Sequence, residues 1–267
     1  MKALFNQELI NDNELVLGKG DRAVEYGDGL FETIIIKNNS RPLLNYHYQR
    51  LVDGAKILDF LLPENFSPEY LNISIEHLIQ INHLSLPVKI KVQVWRESGG
   101  TYSPLMKSSN MLITMHQYKN PPDKIENVGI CQSIQNQFSV YSQFKTISAI
   151  KYVLAGIEKE SRNLDDLIIL DAEGNVSELL DSNIFWIKDG IFFTPSLESG
   201  CVRGVMRSYL IDILKHQNNH VEETIVSPGQ LQTADHILST NASGIRPITS
   251  IQQKKYKVFP DMDELVP

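Results

Sequence analysis

Cysteine is scarce: among 267 residues only Cys131 and Cys201 carry thiols, and they lie far apart. No C-x-x-C pair exists, which excludes a zinc ribbon and a dithiol redox motif. Two thiols are also too few for the disulfide scaffold of a small secreted domain, so both are expected to be free. Histidine is thin as well, with seven in all. Only His216 and His220 share an i, i+4 spacing, and the Gln217-Asn218-Asn219 between them reads as a helix end, so no metal site is expected. No apolar run approaches the roughly 20 residues of a membrane-spanning helix. The opening MKALFNQELINDNE turns polar and acidic too soon for a secretory signal, and a soluble cytoplasmic protein is expected. Positive charge is in deficit: the net charge is −7 and the pI about 5.5. A general nucleic-acid binder needs a basic footprint that this balance lacks, although a local basic pocket for a small anion stays open. Repeats and low-complexity tracts are absent. So are the glycine-rich phosphate loops: YGDGLF (Tyr26–Phe31) lacks the third glycine of G-x-G-x-x-G and precedes a strand, and ESGGTY (Glu97–Tyr102) lacks G-K-[ST].

What is present is an ordinary globular composition, 42% hydrophobic and 21% charged, patterned as an α+β protein. FETIIIK (Phe31–Lys37) is β-branched and ends at Asn38-Asn39, a strand and a turn. Leu51, Ala55, Leu58 and Leu62 fall at helical spacing in and just after His47–Leu61. Pro68–Leu84 reads as a second helix, with Ser67 as its cap and proline in its first turn. Pro87–Arg96 alternates Val and Ile with Lys and Gln, a half-buried strand, and Met111–Gln117 reads as another. The two prolines of KNPPDK (Lys119–Lys124) suit a connector. Beyond it ENVGICQS is a strand, Ala149–Arg162 a helix, DLIILDAEGNVSE a strand ending in a turn, and Arg203–Gln217 an amphipathic helix. Asp189-Gly190 inside NIFWIKDGIFFT is a strong hairpin signal, and VEETIVS, HILSTN and RPITSI add strands. The reading is two α+β domains, 1–117 and 124–267, joined by a linker over 118–123.

Lys145 stands just before a helix in QFKTISAIKYVLAGIEKES, and an isolated lysine there is ordinarily a solvated surface group. Its setting changes that expectation. Taken in order, DRAVEYGDGLFET (Asp21–Thr33), LLNYHYQRL (Leu43–Leu51), the lysine segment, LDAEGNVSELLDSNIFWIKDG (Leu170–Gly190), FFTPSLESGCVRGVMR (Phe192–Arg207) and STNASGIRPI (Ser239–Ile248) resemble the class IV aminotransferase family over nearly the whole chain. The family's members include branched-chain aminotransferases, D-amino acid aminotransferases and aminodeoxychorismate lyases. The resemblance implies the two-domain pyridoxal-phosphate fold type IV, pyridoxal 5'-phosphate as cofactor, a small amino substrate and a homodimer. It assigns Lys145 to the covalent bond with the cofactor aldehyde and Glu178 to the pyridine nitrogen. Arg50, Asn241 and the backbone amides of Val205 and Met206 fall to the cofactor phosphate, and the segment carrying Tyr26 and Phe31 to the substrate side. Each role suits its residue type. A lysine amine attacks a carbonyl, a carboxylate keeps a pyridine protonated, an arginine fork matches a phosphate, and a helix start offers unpaired N–H groups and a positive dipole end. Taken singly, Glu178 and Arg50 would each read as a surface ion pair.

The chain departs from the family's patterns in places. Ile150 stands where branched-chain enzymes carry a tyrosine five residues after the lysine, and Ser148 where lyase and D-amino acid relatives often carry asparagine. RESGGTYSP (Arg96–Pro104) is similar to a block common in aminodeoxychorismate lyases, with Glu97 replacing a glycine and the tyrosine one residue early. The resemblance thus implies first a lyase that converts 4-amino-4-deoxychorismate to 4-aminobenzoate and pyruvate in folate biosynthesis. The alternatives are a branched-chain or D-amino acid aminotransferase, or a cofactor-binding protein without turnover. For a dicarboxylic substrate, Arg96 and Arg203 are the candidate cations; against that stand a solvated Arg203 and an Arg96 paired with Glu97 or another carboxylate.

Overall fold

The structure, a computed structural model, describes residues 1–265. The chain forms two compact units, one of Met1–Asn120 with Phe144–Ser148, the other of Pro121–Gln143 with Ala149 onward. The break at Asn120 falls inside the expected linker. Val266 and Pro267, the end of the expected second domain, lie outside the described residues. Among the described residues no helix is long and apolar enough to cross a membrane.

The first unit contains β1 (Lys2–Phe5), β2 (Glu8–Asn11), α1 (Arg22–Tyr26), β3 (Gly29–Ile36), α2 (Leu44–Ile57), α3 (Pro68–Ile81), β4 (Val88–Arg96) and β5 (Ser109–Gln117). The strands make an antiparallel sheet in the order β2-β1-β5-β4-β3. Successive side chains of β3 alternate between faces. Leu30, Ile34 and Ile36 join Leu51 and Ala55 of α2 and Leu71, Ile75 and Leu78 of α3 in one core. Each such leucine or isoleucine, fully buried, contributes about 1.5–3 kcal/mol. Ser67 caps α3 by accepting a hydrogen bond from Tyr70 N at 3.1 Å, with Pro68 in the first turn.

Both helices stop short of the lengths the apolar spacing suggests. Asp59 (φ 53°) and His83 (φ 52°) adopt left-handed backbone just beyond the ends of α2 and α3, and this conformation cannot continue a right-handed helix. The β1–β2 hairpin has no counterpart in the sequence reading. Its turn is built by Asn6 and Gln7, both at positive φ without a glycine to announce them.

The second unit contains β6 (Val128–Ile130), α4 (Ile150–Ser161), β7 (Asp166–Leu170), β8 (Val176–Leu179), β9 (Asn183–Lys188), β10 (Ile191–Pro195), α5 (Val205–His216), β11 (Val221–Thr224), α6 (Pro228–Leu231), β12 (His236–Asn241), β13 (Gly244–Ile248), β14 (Ser250–Ile251) and β15 (Lys254–Lys255). Two sheets result, β11-β10-β9-β12-β13 and β15-β14-β6-β7-β8. Asp189 (φ 50°) and Gly190 (φ 77°) make the β9–β10 turn with the doubly positive φ that a two-residue hairpin favours.

Lys145 belongs to the first unit, not to the second as the sequence reading expected. Phe31 N donates to Lys145 O at 2.8 Å and Ile147 N to Gly29 O at 2.9 Å. The short segment thereby pairs with the outer edge of β3.

Candidate active site

The YGDGLFET stretch begins where α1 ends. Asp21 caps α1 by accepting from Ala23 N at 2.9 Å and also accepts from Trp95 Nε1 at 3.1 Å. Gly27 closes the helix at φ 62°, where glycine carries no side-chain penalty. Asp28 Oδ2 then accepts from Arg22 Nε at 2.8 Å and from Arg96 Nε at 2.9 Å. Burial opposes the charge on Asp28, and the two guanidinium groups overcome it and lower its pKa. A Cβ on Gly29 would lie 2.5 Å from Val94 O and 2.7 Å from Ile147 Cδ1, so only glycine lets the Lys145 segment approach β3 this closely.

Arg96 is anchored within the first unit. Only 5% of it is exposed, and its Nη1 and Nη2 donate to Asp59 O at 2.8 Å and Leu58 O at 2.5 Å. Its carboxylate partner is Asp28, and Glu97 instead accepts from Ser108 Oγ at 2.5 Å. Tyr26 is half-buried, with the Arg22 guanidinium 4.7 Å from its ring and the Tyr102 ring at 5.8 Å.

The two faces of β3 carry different chemistry. On one, the Phe31 ring has Lys145 Nζ 4.6 Å and Lys91 Nζ 5.1 Å from its centroid. Lys91 lies on β4 opposite Thr33. It is half-buried, and burial, then the charge of Lys89, lowers its pKa. The sequence reading passed over it, because in VKIKVQV it looks like one more polar position on the wet face of a strand. On the other face, Glu32 is gripped by α2. Its Oε1 and Oε2 accept from Arg50 Nε and Nη2, both at 2.6 Å, and Oε2 lies 2.6 Å from His47 Nδ1. All three residues are buried. Burial works against the Glu32 charge, but Arg50 and His47 outweigh it and hold the carboxyl down to about 2. Burial, with Arg50 and Lys145, depresses His47 and leaves it neutral, donating its Nδ1–H to Glu32. Arg50, expected on a phosphate, thus gives two of its N–H donors to Glu32.

In the second unit, Glu178 on β8 is 3% exposed. Its Oε1 accepts from Asn136 Nδ2 and Tyr152 OH, each at 2.8 Å, and its Oε2 from Val202 N at 2.9 Å. Lys151 Nζ donates to Asn136 Oδ1 at 2.8 Å. Ile150, in the family's tyrosine position, is 66% exposed. Burial, then Glu178, pushes the Cys201 thiol up to about 11, so it stays a neutral thiol rather than a nucleophile.

The first turn of α5 has amides without intrahelical partners, as at any helix start. Gly204 caps it, and a Cβ there would collide with Asn183 Oδ1, whose own amide nitrogen donates to Val202 O at 2.8 Å. Asn183 is thus packed directly against the start of α5. Asn241 ends β12 and accepts from Ser243 N at 2.9 Å. Beside it the Thr240 hydroxyl is buried, with no hydrogen-bond partner among the described residues, an unfilled donor that the sequence reading missed. Arg203 is half-buried in the approach to α5, its N donating to Gln143 O at 2.9 Å. The spaced histidines serve locally: His216 Nδ1 lies 2.8 Å from Asp212 O and His220 Nε2 2.6 Å from Glu222. The first unit thus offers an amine beside an aromatic ring. The second offers a carboxylate with acceptor capacity left over, and a helix start with an unpaired hydroxyl nearby. By residue type, the amine of the first unit suits an aldehyde, and the carboxylate and helix start of the second suit a ring nitrogen and a phosphate.

A family profile for amino-transferase class IV matches residues 29–251. The chain is 26% identical to the aminodeoxychorismate lyase of Vibrio harveyi over 250 residues, covering 90% of each. It is likewise 26% identical to the branched-chain-amino-acid aminotransferase of Escherichia coli over 260 residues, 92% of this chain and 84% of that one. A branched-chain aminotransferase from Thermoproteus uzoniensis superposes with a TM-score of 0.89 at 21% identity, covering 99% of this chain and 92% of its own. With the profile spanning most of its length and the fold superposing end to end, the chain belongs to the class IV aminotransferases, the two-domain pyridoxal-phosphate enzymes of fold type IV.

Proposed function

We propose that the chain is a pyridoxal-phosphate-dependent lyase that converts 4-amino-4-deoxychorismate to 4-aminobenzoate and pyruvate, a step of folate biosynthesis. The observation that carries this reading is Lys91, a half-buried ammonium on the Phe31 face beside Lys145. A dicarboxylic substrate needs a cation there in addition to the reacting amine, and a purely aliphatic amino acid side chain does not. With Arg96 occupied by Asp28, Lys91 takes the place first expected of Arg96, alongside Arg203.

Bound pyridoxal phosphate would supply a carbonyl for covalent attachment and an electron-withdrawing ring. The reading gives both sets of residues to one cofactor. Glu178 Oε2 would accept a hydrogen bond from the ring nitrogen and so keep that nitrogen protonated. The Val205 and Met206 amides, Thr240, Asn241 and Arg50 would hold the phosphate. Lys145 Nζ would be the covalent anchor and, as a free amine, the base that takes the proton from the substrate carbon bearing the nitrogen and later returns one. Phe31 and Tyr26 exclude water on the substrate side. The atoms of the substrate divide without remainder between the aromatic amine and pyruvate, so no co-substrate is required.

Borohydride treatment of the yellow protein followed by peptide mass spectrometry should place the cofactor on Lys145; a label on Lys151 or Lys159 would overturn the assignment. Incubation with 4-amino-4-deoxychorismate should yield 4-aminobenzoate. The second reading, an aminotransferase for branched-chain or D-amino acids, is favoured by one observation, the equal 26% identity to the lyase and to the branched-chain enzyme. Pyridoxamine phosphate accumulating with simple amino acids, without 4-aminobenzoate from the chorismate derivative, would establish it instead. A homodimer is part of the proposal, supported by the outward apolar stripe of α4.

A further inference from the structure

We propose that Tyr152, Asn136 and Lys151 form a positioning network that fixes the Glu178 carboxylate so that one lone pair of Oε2 is left for a single incoming N–H. The inference rests on the reading that Glu178 meets the cofactor's ring nitrogen. It adds residues to which the resemblance gives no role.

A carboxylate has about four lone-pair sites, and an ionised one can only accept. Oε1 accepts from two donors, Asn136 Nδ2 and Tyr152 OH, and Oε2 from one, Val202 N. One more hydrogen bond, on Oε2, completes the group. Without such restraint the terminal torsion of a glutamate is broad and roughly two-fold. Here donors on α4, on the Asn136 segment and on the Val202 backbone hold the two oxygens apart in role.

Asn136 has only one way to sit. Its Oδ1 faces Lys151 Nζ at 2.8 Å, and its Nδ2 faces both Glu178 and Ser177 Oγ, the latter at 2.9 Å. An ammonium cannot accept and a carboxylate cannot donate, so turning the amide over would break the bonds at both ends. Lys151 therefore acts on Glu178 through Asn136, as a lock on the amide's orientation. Asn136 is fully buried, where an unpaired amide would be costly. Ser177 passes the chain on, its hydroxyl donating to Ser199 O at 2.9 Å.

Tyr152 is a donor for the same reason. Burial, then the Glu178 charge, raises its pKa and keeps the proton on the phenol. The Lys151 ammonium lies 4.6 Å from the Tyr152 ring centroid, and burial lowers the Lys151 pKa against the pull of Glu178. The other titratable group beside the carboxylate is the Cys201 thiol, which stays neutral.

The test uses the full chain and pyridoxal phosphate labelled with nitrogen-15 in the ring. Tyr152→Phe and Lys151→Met should each weaken cofactor binding by about tenfold, the loss of one charge-assisted hydrogen bond. Each should also move the ring nitrogen resonance toward its unprotonated value, and Lys151→Arg should restore both readouts. In a Glu178→Gln background Tyr152→Phe should shift the resonance no further, whereas a merely structural tyrosine would add its effect. Folded variants with the wild-type resonance and affinity, even with a lower melting temperature, would overturn the network while leaving the cofactor reading intact. A wild-type chain that binds no pyridoxal phosphate would overturn that reading and this role with it.

Discussion

Arg96 and Arg203 are the cations expected to meet a dicarboxylic substrate, and Arg96 is instead committed to the fold. Arg96 holds a carboxylate and two carbonyls in place. Arg96→Ala would leave Leu58 O and Asp59 O without their donors, and we expect a loss of about 2–4 kcal/mol in urea unfolding, since buried unsatisfied groups cost about 1–3 kcal/mol each. The Lys91 ammonium instead faces an aromatic ring, 5.1 Å from the Phe31 centroid. Lys91→Met should leave unfolding nearly unchanged and lower kcat/KM for the dicarboxylic substrate about tenfold or more, about 1.4 kcal/mol or more of transition-state binding. The cofactor's absorbance should not move. If Lys91→Met turns over substrate normally and Arg203→Ala does not, the carboxylate contact belongs to Arg203. Lys145→Ala should fold and lose turnover, measured by circular dichroism and product formation.

Strands and helices set the pH behaviour. Glu32 on β3 is held at about 2 by its partners on α2, below its ordinary value of 4.5. A carboxyl with a depressed folded pKa stabilises the fold above its unfolded pKa and loses that contribution as pH falls. We therefore expect urea midpoints to drop between about pH 4.5 and 2 by a few kcal/mol, and Glu32→Gln to flatten that acid limb. Asp166 at the start of β7 behaves oppositely. Burial, then the Asp181 charge, raises it to about 7, so the folded state keeps its proton longer than the unfolded chain does. The cost of ionising it grows from about pH 4 to 7 and is complete above. Asp166→Asn can still accept from Leu167 N and Leu180 N, and should gain on the order of 2–4 kcal/mol at pH 8 relative to pH 4, read from urea titrations at both. Elements with local chemical signatures were legible beforehand: the Ser67-Pro68 start of α3, the Asp189-Gly190 hairpin, and β12 at His236–Asn241. Helix ends set by left-handed Asp59 and His83 were not, because those residues take the conformation only once the surrounding structure requires it. For the candidate site, ordered motifs pointed to Lys145 and Glu178. The partners Glu32, Asn136 and Lys151 come from residues distant in sequence, and Arg96 could not be told from a ligand until its carbonyl acceptors were known.

For the whole molecule the first expectation is assembly. Ile150, Val153, Leu154 and Ile157 of α4 are 66%, 54%, 45% and 61% exposed, and their i, i+3, i+4, i+7 spacing gathers them into one apolar stripe. A stripe of this kind marks an interaction surface, and a two-fold dimer is the commonest way to cover it. Light scattering should give twice the chain mass, and Val153→Asp with Ile157→Asp should shift it toward the monomer; a wild-type monomer in an active sample would contradict the dimer. A second expectation concerns the order in which the chain is made. The free edge of β3 is completed only by Phe144–Ser148, which leave the ribosome after Asn120 and after the first residues of the other unit. Until then the N–H of Phe31 and the carbonyl of Gly29 stand open on an edge strand, the arrangement most prone to pairing with a neighbouring chain. A truncated chain ending at Asn120 should therefore aggregate where one ending after the lysine segment does not. The lysine that the proposed chemistry needs is thus carried on the piece of backbone that seals the nascent sheet.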